Sequence, residues 1–291
     1  MPEPTSKSPL VSTESLGLRL ASPRLRVLDG SWYLPSSGRD PYAEFLAGHV
    51  PNARFFDLDE ISDRSTPLPH MLPPAAQFAA QASALGIDHD SEIVVYDGSG
   101  VNLSAARVWW TFRAFGHREV AVLDGGFGKW QREGRPIERG LPPPAVAGNF
   151  RAWLDPSVVR DLGAIRRNLR SHRELVVDMR SSGRFTGAEP EPRPGIRAGH
   201  IPGSVNLPYT DLVTEDGTLV PPELLRAKLA AAGIDLTRPV IATCGSGTSA
   251  CALVLALEVL GHHRHAVYDG SWTEWGGRED TPVETESPPR P

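Results

Sequence analysis

A cysteine in a glycine-rich loop is the residue of this sequence best suited to chemistry. Cys244 follows the apolar run PVIAT and precedes GSG and a segment typical of a helix. Gly245 and Gly247 allow backbone N–H groups to converge at a helix N-terminus, where they bind an anion. Such surroundings favour a thiolate over a neutral thiol. We therefore predict that Cys244 is a nucleophile.

The second cysteine, Cys251, lies within the predicted helix. At 1.5 Å of rise per residue the two Cα atoms would be roughly 10 Å apart, beyond the ~7 Å that a disulfide allows. We predict a structural role for Cys251 and, because no disulfide framework exists, a reducing, cytoplasmic location. No metal site is predicted: the GHHRH run at 261–265 occupies the same place as GHREV in the first half of the chain.

The chain contains two copies of one pattern. FGHREVAVLDGGFGKW (115–130) matches LGHHRHAVYDGSWTEW (260–275), and AGHVPNARFFDL (47–58) matches AGHIPGSVNLPY (198–209). A further pair, EIVVYDGSG and PVIATCGSG, places Asp97 opposite Cys244. A period of this size, about 150 residues, indicates a duplicated domain.

Each half alternates short apolar runs with helical segments. Runs such as RVLD, EIVVYD, PVIATC and HAVYD are typical of buried parallel strands. The helices are predicted at 74–86, 102–116, 222–233 and 248–261. We therefore predict an α/β fold of two tandem domains, each a parallel sheet with helices on both faces.

Composition and charge limit the classes of function. The chain has 291 residues and a net charge of −5, and no apolar run approaches the ~20 residues that span a bilayer. Without a long basic stretch, neither nucleic acid nor a membrane surface is expected as a partner. The predicted organisation is a disordered tail (1–14), a first domain without a nucleophile (15–140), a Pro/Gly-rich linker (141–157), a second, catalytic domain (158–277) and a tail (278–291).

Several motifs together resemble one known family. They are the cysteine loop CGSGTSA (244–250), the paired signatures AGHVPNA and AGHIPGS, and YDGSWTEW near the C-terminus. SDRSTPLPHMLP (62–73) and RFTGAEPEPRPGIRAGHIPG (184–203) add to the likeness. The chain resembles the tandem-domain sulfurtransferases of the rhodanese superfamily, in particular the mercaptopyruvate sulfurtransferase branch. The resemblance implies two rhodanese-like domains, of which only the second carries a sulfur-accepting cysteine.

The resemblance also implies roles for individual residues. Arg184 and Arg193 match the arginines that bind the substrate carboxylate. Ser246, His70 and Asp59 match a Ser–His–Asp arrangement that assists sulfur transfer. For the last of these, Asp63 is a neighbouring alternative.

The loop after the cysteine departs from the usual family sequence in two places. Thr248 and Ser249 stand where the family usually has Val and Thr. With the two loop glycines, they complete the predicted substrate-binding residues.

The loop also indicates the sulfur donor. The thiosulfate-using branch typically has an Arg-Lys pair directly after the cysteine, whereas residues 244–250 contain no cation. We predict a sulfurtransferase without a cofactor that moves sulfur from 3-mercaptopyruvate to a thiol acceptor (thioredoxin or a small thiol) or to cyanide. A persulfide would form on Cys244 and pyruvate would be released. The alternatives are a thiosulfate:cyanide sulfurtransferase and a persulfide carrier that does not turn over.

Overall fold

Short runs of valine, leucine and isoleucine form two sheets of five parallel strands each in the computed structural model, which describes residues 8–285. The strands of the first sheet are β1 (Leu10–Val11), β2 (Leu25–Asp29), β3 (Arg54–Phe55), β4 (Glu92–Tyr96) and β5 (Val120–Leu123). Those of the second sheet are β6 (Val159–Arg160), β7 (Leu175–Asp178), β8 (Val205–Asn206), β9 (Val240–Thr243) and β10 (His265–Tyr268).

The sheets have the same strand order, β1-β5-β4-β2-β3 and β6-β10-β9-β7-β8. This correspondence confirms the duplication that the sequence repeats predict.

Helices connect the strands in both halves. They are α1 (Thr13–Arg19), α2 (Pro41–Ala47), α3 (Leu58–Ile61), α4 (Ala75–Ala84), α5 (Leu103–Ala114), α6 (Gly126–Arg132), α7 (Leu162–Ser171), α8 (Ser182–Thr186), α9 (Pro222–Ala231), α10 (Ala250–Val259) and α11 (Ser271–Gly276). The four helices predicted from sequence form as α4, α5, α9 and α10. Glycines with positive φ follow α5, α9 and α10 at 116, 233 and 261, as expected for residues that end helices.

Alternate residues of a strand pack on opposite faces of its sheet. In β4, Ile93 and Val95 belong to one hydrophobic cluster, whereas Val94 and Tyr96 belong to another that includes Trp130 of α6. Both faces are therefore covered by helices, and the predicted α/β fold is confirmed. No helix within residues 8–285 is long and apolar enough to cross a membrane.

One hydrophobic core is continuous between the two halves. Helix α5 of the first half packs against α10 of the second. Trp109, Trp110, Leu253 and Leu257 of these helices are at most 1% exposed. The packing fixes the amino ends of α5 and α10, and hence the loops that precede them, relative to each other.

The predicted N-terminal tail is shorter than expected. Leu10 pairs in register with Val122 of β5, and the hydroxyl of Ser12 accepts a hydrogen bond from the backbone N–H of Ser15 at the start of α1. The prediction of disorder for 1–14 is therefore wrong from residue 8 onward, because a two-residue edge strand carries no visible hydrophobic period. Residues 1–7 lie outside the described part.

The C-terminal segment also packs onto its domain. Backbone hydrogen bonds join His200 and Glu284 in both directions, at 2.8 and 3.1 Å. Trp275 donates its indole N–H to the carbonyl of Pro282 at 2.8 Å. The second domain therefore extends beyond residue 277 to at least 284, which corrects the predicted start of the tail; residues 286–291 lie outside the described part.

The linker of residues 141–157 lies along the first half. Phe150 is buried, and its ring packs edge-on against Phe78 and Phe112. The backbone N–H of Trp153 donates to the carbonyl of Phe115. The linker therefore packs on the first domain as far as Asp155, whereas the turn at Pro156–Val158 contacts β10 of the second.

Candidate active site

Cys244 lies directly after β9, at the carboxyl end of the second sheet, where α/β folds bind ligands. Its side chain is buried, at 1% exposed. Its backbone N–H donates to the Ser271 hydroxyl at 3.3 Å, and its carbonyl accepts from the backbone N–H of Trp272 at 2.9 Å. The cysteine is therefore held between the end of β9 and the start of α11.

Glycine is required at position 247 of the loop. Its φ of +76° lies in the left-handed region, which side chains disfavour. A Cβ here would lie 2.9 Å from the carbonyl oxygen of Asp269 and 3.0 Å from Arg107 Nη1. The loop therefore approaches both neighbours more closely than any other residue permits.

The two predicted substrate arginines reach the cysteine loop. A Cβ built on Gly245 would lie 3.1 Å from Arg184 Nη2 and 3.9 Å from Arg193 Nη1. Burial lowers the pKa of Arg193, and the electrostatic effect of the neighbouring Cys244 opposes this shift. The structure thus brings both guanidinium groups beside the residue that follows the nucleophile.

Glu191 orients one of these arginines, which sequence reasoning missed. Its carboxylate bridges Arg184 Nη2 at 2.5 Å and Arg180 Nη1 at 2.6 Å, and its side chain is 4% exposed. Among residues 8–285, Arg193 has no ion-pair partner within 4.0 Å. Arg193 therefore has the freer guanidinium of the two. The EPEPR spacing, which places a carboxylate two residues before Arg193, was the available signal.

His70 joins the two halves at the site. Its Nδ1 lies 3.1 Å from Ser246 Oγ, and its Nε2 lies 3.1 Å from Asp59 Oδ1. The residue is 3% exposed, and its ring meets Trp32 edge-on, with 4.5 Å between ring centroids. The three residues that the resemblance grouped are therefore brought together by the fold.

Burial of His70 and its hydrogen bond with Asp59 set the charges of this group. Burial lowers the pKa of His70 below its usual value, although Asp59 partly opposes this shift. The hydrogen bond with His70 lowers the pKa of Asp59. Asp59 also accepts from the indole N–H of Trp32 at 3.0 Å, a contact that the sequence did not reveal. A neutral His70 thus donates from Nε2 to a carboxylate and accepts at Nδ1.

Asp63, the alternative to Asp59, faces its own loop. Its Oδ1 accepts from the backbone N–H and the hydroxyl of Ser65, at 2.8 and 2.7 Å. The geometry therefore favours Asp59 as the partner of His70.

The remaining predicted loop residues differ in their contacts. Thr248 Oγ1 lies 3.1 Å from His70 Nδ1, so this side chain turns toward the histidine. Ser249 directly precedes α10 and makes no side-chain cap of that helix. No hydrogen bond from its side chain to the site is found within the described residues.

A buried ion pair connects the two halves behind the site. Arg107 of α5 lies 2.8 Å from Asp269 of the second half, and both side chains are at most 5% exposed. The guanidinium also donates to the carbonyls of His70 and Gly247, and Asp269 Oδ2 accepts from the backbone N–H of Leu72 at 2.9 Å. The pair holds the His70 segment against the cysteine loop.

The corresponding loop of the first half holds a carboxylate. Asp97 follows β4, as Cys244 follows β9. Its Oδ1 accepts from the backbone N–H of Ser99 at 2.8 Å, and its Oδ2 accepts from the backbone N–H of Ala105 at 2.9 Å. The first half therefore carries a hydrogen-bonded carboxyl group at the position that corresponds to the cysteine of the second half.

Cys251 and the histidine-rich turn have structural contacts. Both cysteines are free; the Cys251 thiol donates to the carbonyl of Gly247 at 3.2 Å, and burial raises its pKa. His263 and His265 both contact Glu258 Oε1. Within residues 8–285 no group of three or more His, Cys, Asp or Glu side chains is arranged to hold a metal.

Comparisons with known proteins match both halves of the chain. The family model described as "Rhodanese-like domain" matches residues 37–133 and 162–278. The 3-mercaptopyruvate sulfurtransferase of Homo sapiens is 48% identical over 91% of both chains. The thiosulfate sulfurtransferase of Bos taurus is 46% identical over 95% of this chain and 94% of its own.

A solved structure extends the likeness to three dimensions. The crystal structure of SseA from Escherichia coli, described with the fold and mechanism of 3-mercaptopyruvate sulfotransferases, superposes with a TM-score of 0.84. It is 34% identical and covers 91% of this chain and 99% of that one.

Proposed function

Since the chain belongs to the rhodanese family of tandem-domain sulfurtransferases, we propose that 3-mercaptopyruvate is its sulfur donor. The observation that carries this proposal is the position of Arg184 and Arg193 beside a loop without a cation of its own. Forked guanidinium donors suit a carboxylate and a neighbouring keto oxygen. Mercaptopyruvate has both groups next to the carbon that bears its sulfur.

In the first step, the Cys244 thiolate attacks the sulfur of the donor. An S–S bond forms while the C–S bond breaks, and the electron pair of the broken bond leaves with carbon as the enolate of pyruvate. The sulfur's proton passes to the enolate carbon, which gives pyruvate and a persulfide anion on Cys244. Backbone N–H groups of the loop stabilise the anionic sulfur before and after the step.

His70 and Ser246 support the movement of the proton. Because burial lowers the pKa of His70, its imidazole is neutral and can accept a proton and return it. Asp59 accepts from Nε2 and so favours the tautomer in which Nδ1 carries no proton and can accept from the two loop hydroxyls. His70 and Asp59 belong to the first half, which gives the half without a nucleophile a direct part in the reaction.

In the second step, an acceptor removes the outer sulfur. A thiolate, from a small thiol or a reduced thioredoxin, attacks the persulfide; a new persulfide leaves, and Cys244 returns as a thiolate. Cyanide reacts in the same way and leaves as thiocyanate. No resident cofactor takes part in either step.

Turnover with the two donors, measured side by side, tests the proposal. We expect kcat/KM for 3-mercaptopyruvate to exceed that for thiosulfate by about tenfold or more, because no cation of residues 244–250 neutralises the thiosulfate dianion. The 46% identity to a thiosulfate sulfurtransferase makes this the relevant competitor. A preference for thiosulfate would reverse the assignment, and persulfide formation without repeated turnover would indicate a carrier.

Arg193→Gln separates carboxylate binding from the chemistry. A hydrogen bond to a charged group contributes ~1.5–3 kcal/mol, so we expect KM for mercaptopyruvate to rise about tenfold or more. Arg24→Gln is the matched control, since Arg24 lies on the surface beside Asp90. An unchanged KM in Arg193→Gln would remove this residue from the substrate site.

Asp59→Asn tests the partner of His70 through the pH dependence of kcat/KM. Asp59 raises the pKa of His70 against the effect of burial, so its neutralisation lowers that pKa further. Neutral His70 is the active form, and the acidic limb of the profile should therefore move to lower pH. We also expect kcat to fall by about tenfold to a hundredfold, since the histidine tautomer is no longer held.

Asp63→Asn is the control for this experiment. Its carboxylate contacts Ser65 and not His70, so the acidic limb should stay in place. A shift in Asp63→Asn, with none in Asp59→Asn, would reverse the two roles.

We also propose the cytoplasm as the location, because both cysteines are free and free thiols persist in reducing compartments. Cell fractionation tests this directly. Recovery of the protein in an organelle or outside the cell would overturn it.

A further inference from the structure

Three polar atoms form a closed triangle beside the cysteine loop. His70 Nδ1 lies 3.1 Å from Ser246 Oγ and 3.1 Å from Thr248 Oγ1, and the two hydroxyl oxygens are 3.4 Å apart. All three residues are at most 6% exposed. Water therefore has little access to these groups, and each must be satisfied largely by the others.

The protons of this triangle can be counted. His70 Nε2 faces the Asp59 carboxylate, so a neutral ring carries its proton there and has one lone pair at Nδ1. Only one of the two hydroxyls can donate to that lone pair at a time. In one arrangement, Ser246 donates to Nδ1 and Thr248 donates to Ser246. In the other, Thr248 donates to Nδ1 and the Ser246 hydroxyl is free to donate to another group.

The direction of the Thr248 side chain is not explained by its own helix. Hydroxyl side chains near a helix N-terminus often hydrogen-bond to the neighbouring backbone. Instead, the Thr248 hydroxyl points out of its loop to a histidine of the other half, and its contacts within the described residues are with His70 and Ser246.

We infer that Thr248 is a positioning residue that exchanges with Ser246 as the hydrogen-bond donor to His70 Nδ1. This inference rests on the proposed function for its kinetic part. When the Ser246 hydroxyl turns to the substrate, Thr248 keeps Nδ1 satisfied and the ring in place. It follows that either hydroxyl alone supports the reaction, whereas the loss of both does not.

A double-mutant cycle tests the exchange. We expect Thr248→Val, which keeps the shape of the side chain, to lower kcat about threefold, and Ser246→Ala to lower it about tenfold, with KM little changed. The double variant should lose about 10²–10³-fold, more than the product of the two single losses, because neither hydroxyl then replaces the other. A double loss equal to that product would overturn the inference.

The pH dependence separates positioning from simple packing. A hydroxyl that donates to Nδ1 stabilises the neutral ring, so its removal favours protonation. The pKa of His70 should therefore stay nearly constant in each single variant and rise in the double variant. Thr214→Val is the matched control, because its half-buried hydroxyl contacts Thr218 of the same turn and no member of the triangle.

NMR titration of the His70 imidazole keeps the inference independent of the donor. This measurement uses the full chain without substrate, and chemical denaturation confirms that each variant is folded. A rise in the His70 pKa only in the double variant supports the exchange even if mercaptopyruvate is not the donor. An equal rise in Ser246→Ala alone would mean that Thr248 does not replace the serine, and the inference fails.

Discussion

Cys244→Ser is expected to lower kcat/KM for 3-mercaptopyruvate by more than about 10³-fold, because the reaction passes through a sulfur–sulfur bond that a hydroxyl cannot form. The substituted oxygen fits the same loop, so the fold should be retained. The measurement is pyruvate release under steady-state conditions, together with the intact mass after incubation with donor. The wild type should gain about 32 Da, the mass of one sulfur atom, and the variant should gain nothing.

Cys251→Ser provides the control. Cys251 is the other buried cysteine, and a serine hydroxyl can also donate to the carbonyl of Gly247. We expect this variant to keep its turnover and its added mass. If Cys244→Ser still released pyruvate while Cys251→Ser did not, the sulfur would be carried by the other residue.

Arg107→Met is expected to lower the free energy of unfolding by about 3–5 kcal/mol, the range observed when one partner of a buried ion pair is removed. Asp269 would remain buried without its cation. The carbonyls of His70 and Gly247 would lose a common donor, so sulfur transfer should also weaken. Urea unfolding at fixed pH measures the first effect, and kcat measures the second.

Arg107→Met combined with Asp269→Asn distinguishes charge from packing. The second change removes the uncompensated carboxylate, so the double variant should recover part of the lost stability. If the double variant lost more free energy of unfolding than the two single variants together, the charge of Asp269 would not be the cause of the instability of Arg107→Met.

The sequence repeats contained most of the information about the fold. Matching segments around Asp97 and Cys244 required matching strands, and two sheets of identical order followed. The runs of β-branched residues bounded by turns located the inner strands. The two-residue strands at the sheet edges have no such pattern. The sequence therefore predicts an N-terminal tail that extends to residue 14, although β1 already begins at Leu10.

The contacts within the site are harder to predict from the sequence than the fold. Motifs identify Cys244, His70, the arginines and Thr248. They do not show the contacts that Trp32, Arg107 and Thr248 make with groups far from them in the chain. The Thr248 hydroxyl lies 3.1 Å from Nδ1 of His70, a residue 178 positions earlier in the chain. Local periodicity carries no information about such pairs, because they depend on how the surfaces of the two halves pack against each other.

The shared core has a consequence for the history of this chain. A duplicated gene begins with two copies that can each stand alone, yet α5 and α10 now bury their apolar sides in one another. Deletion of either half would expose the apolar face of the packed helix in the other half to water. The half without a nucleophile is therefore physically inseparable from the catalytic half, and substitutions in its interior are constrained by the chemistry of the other half.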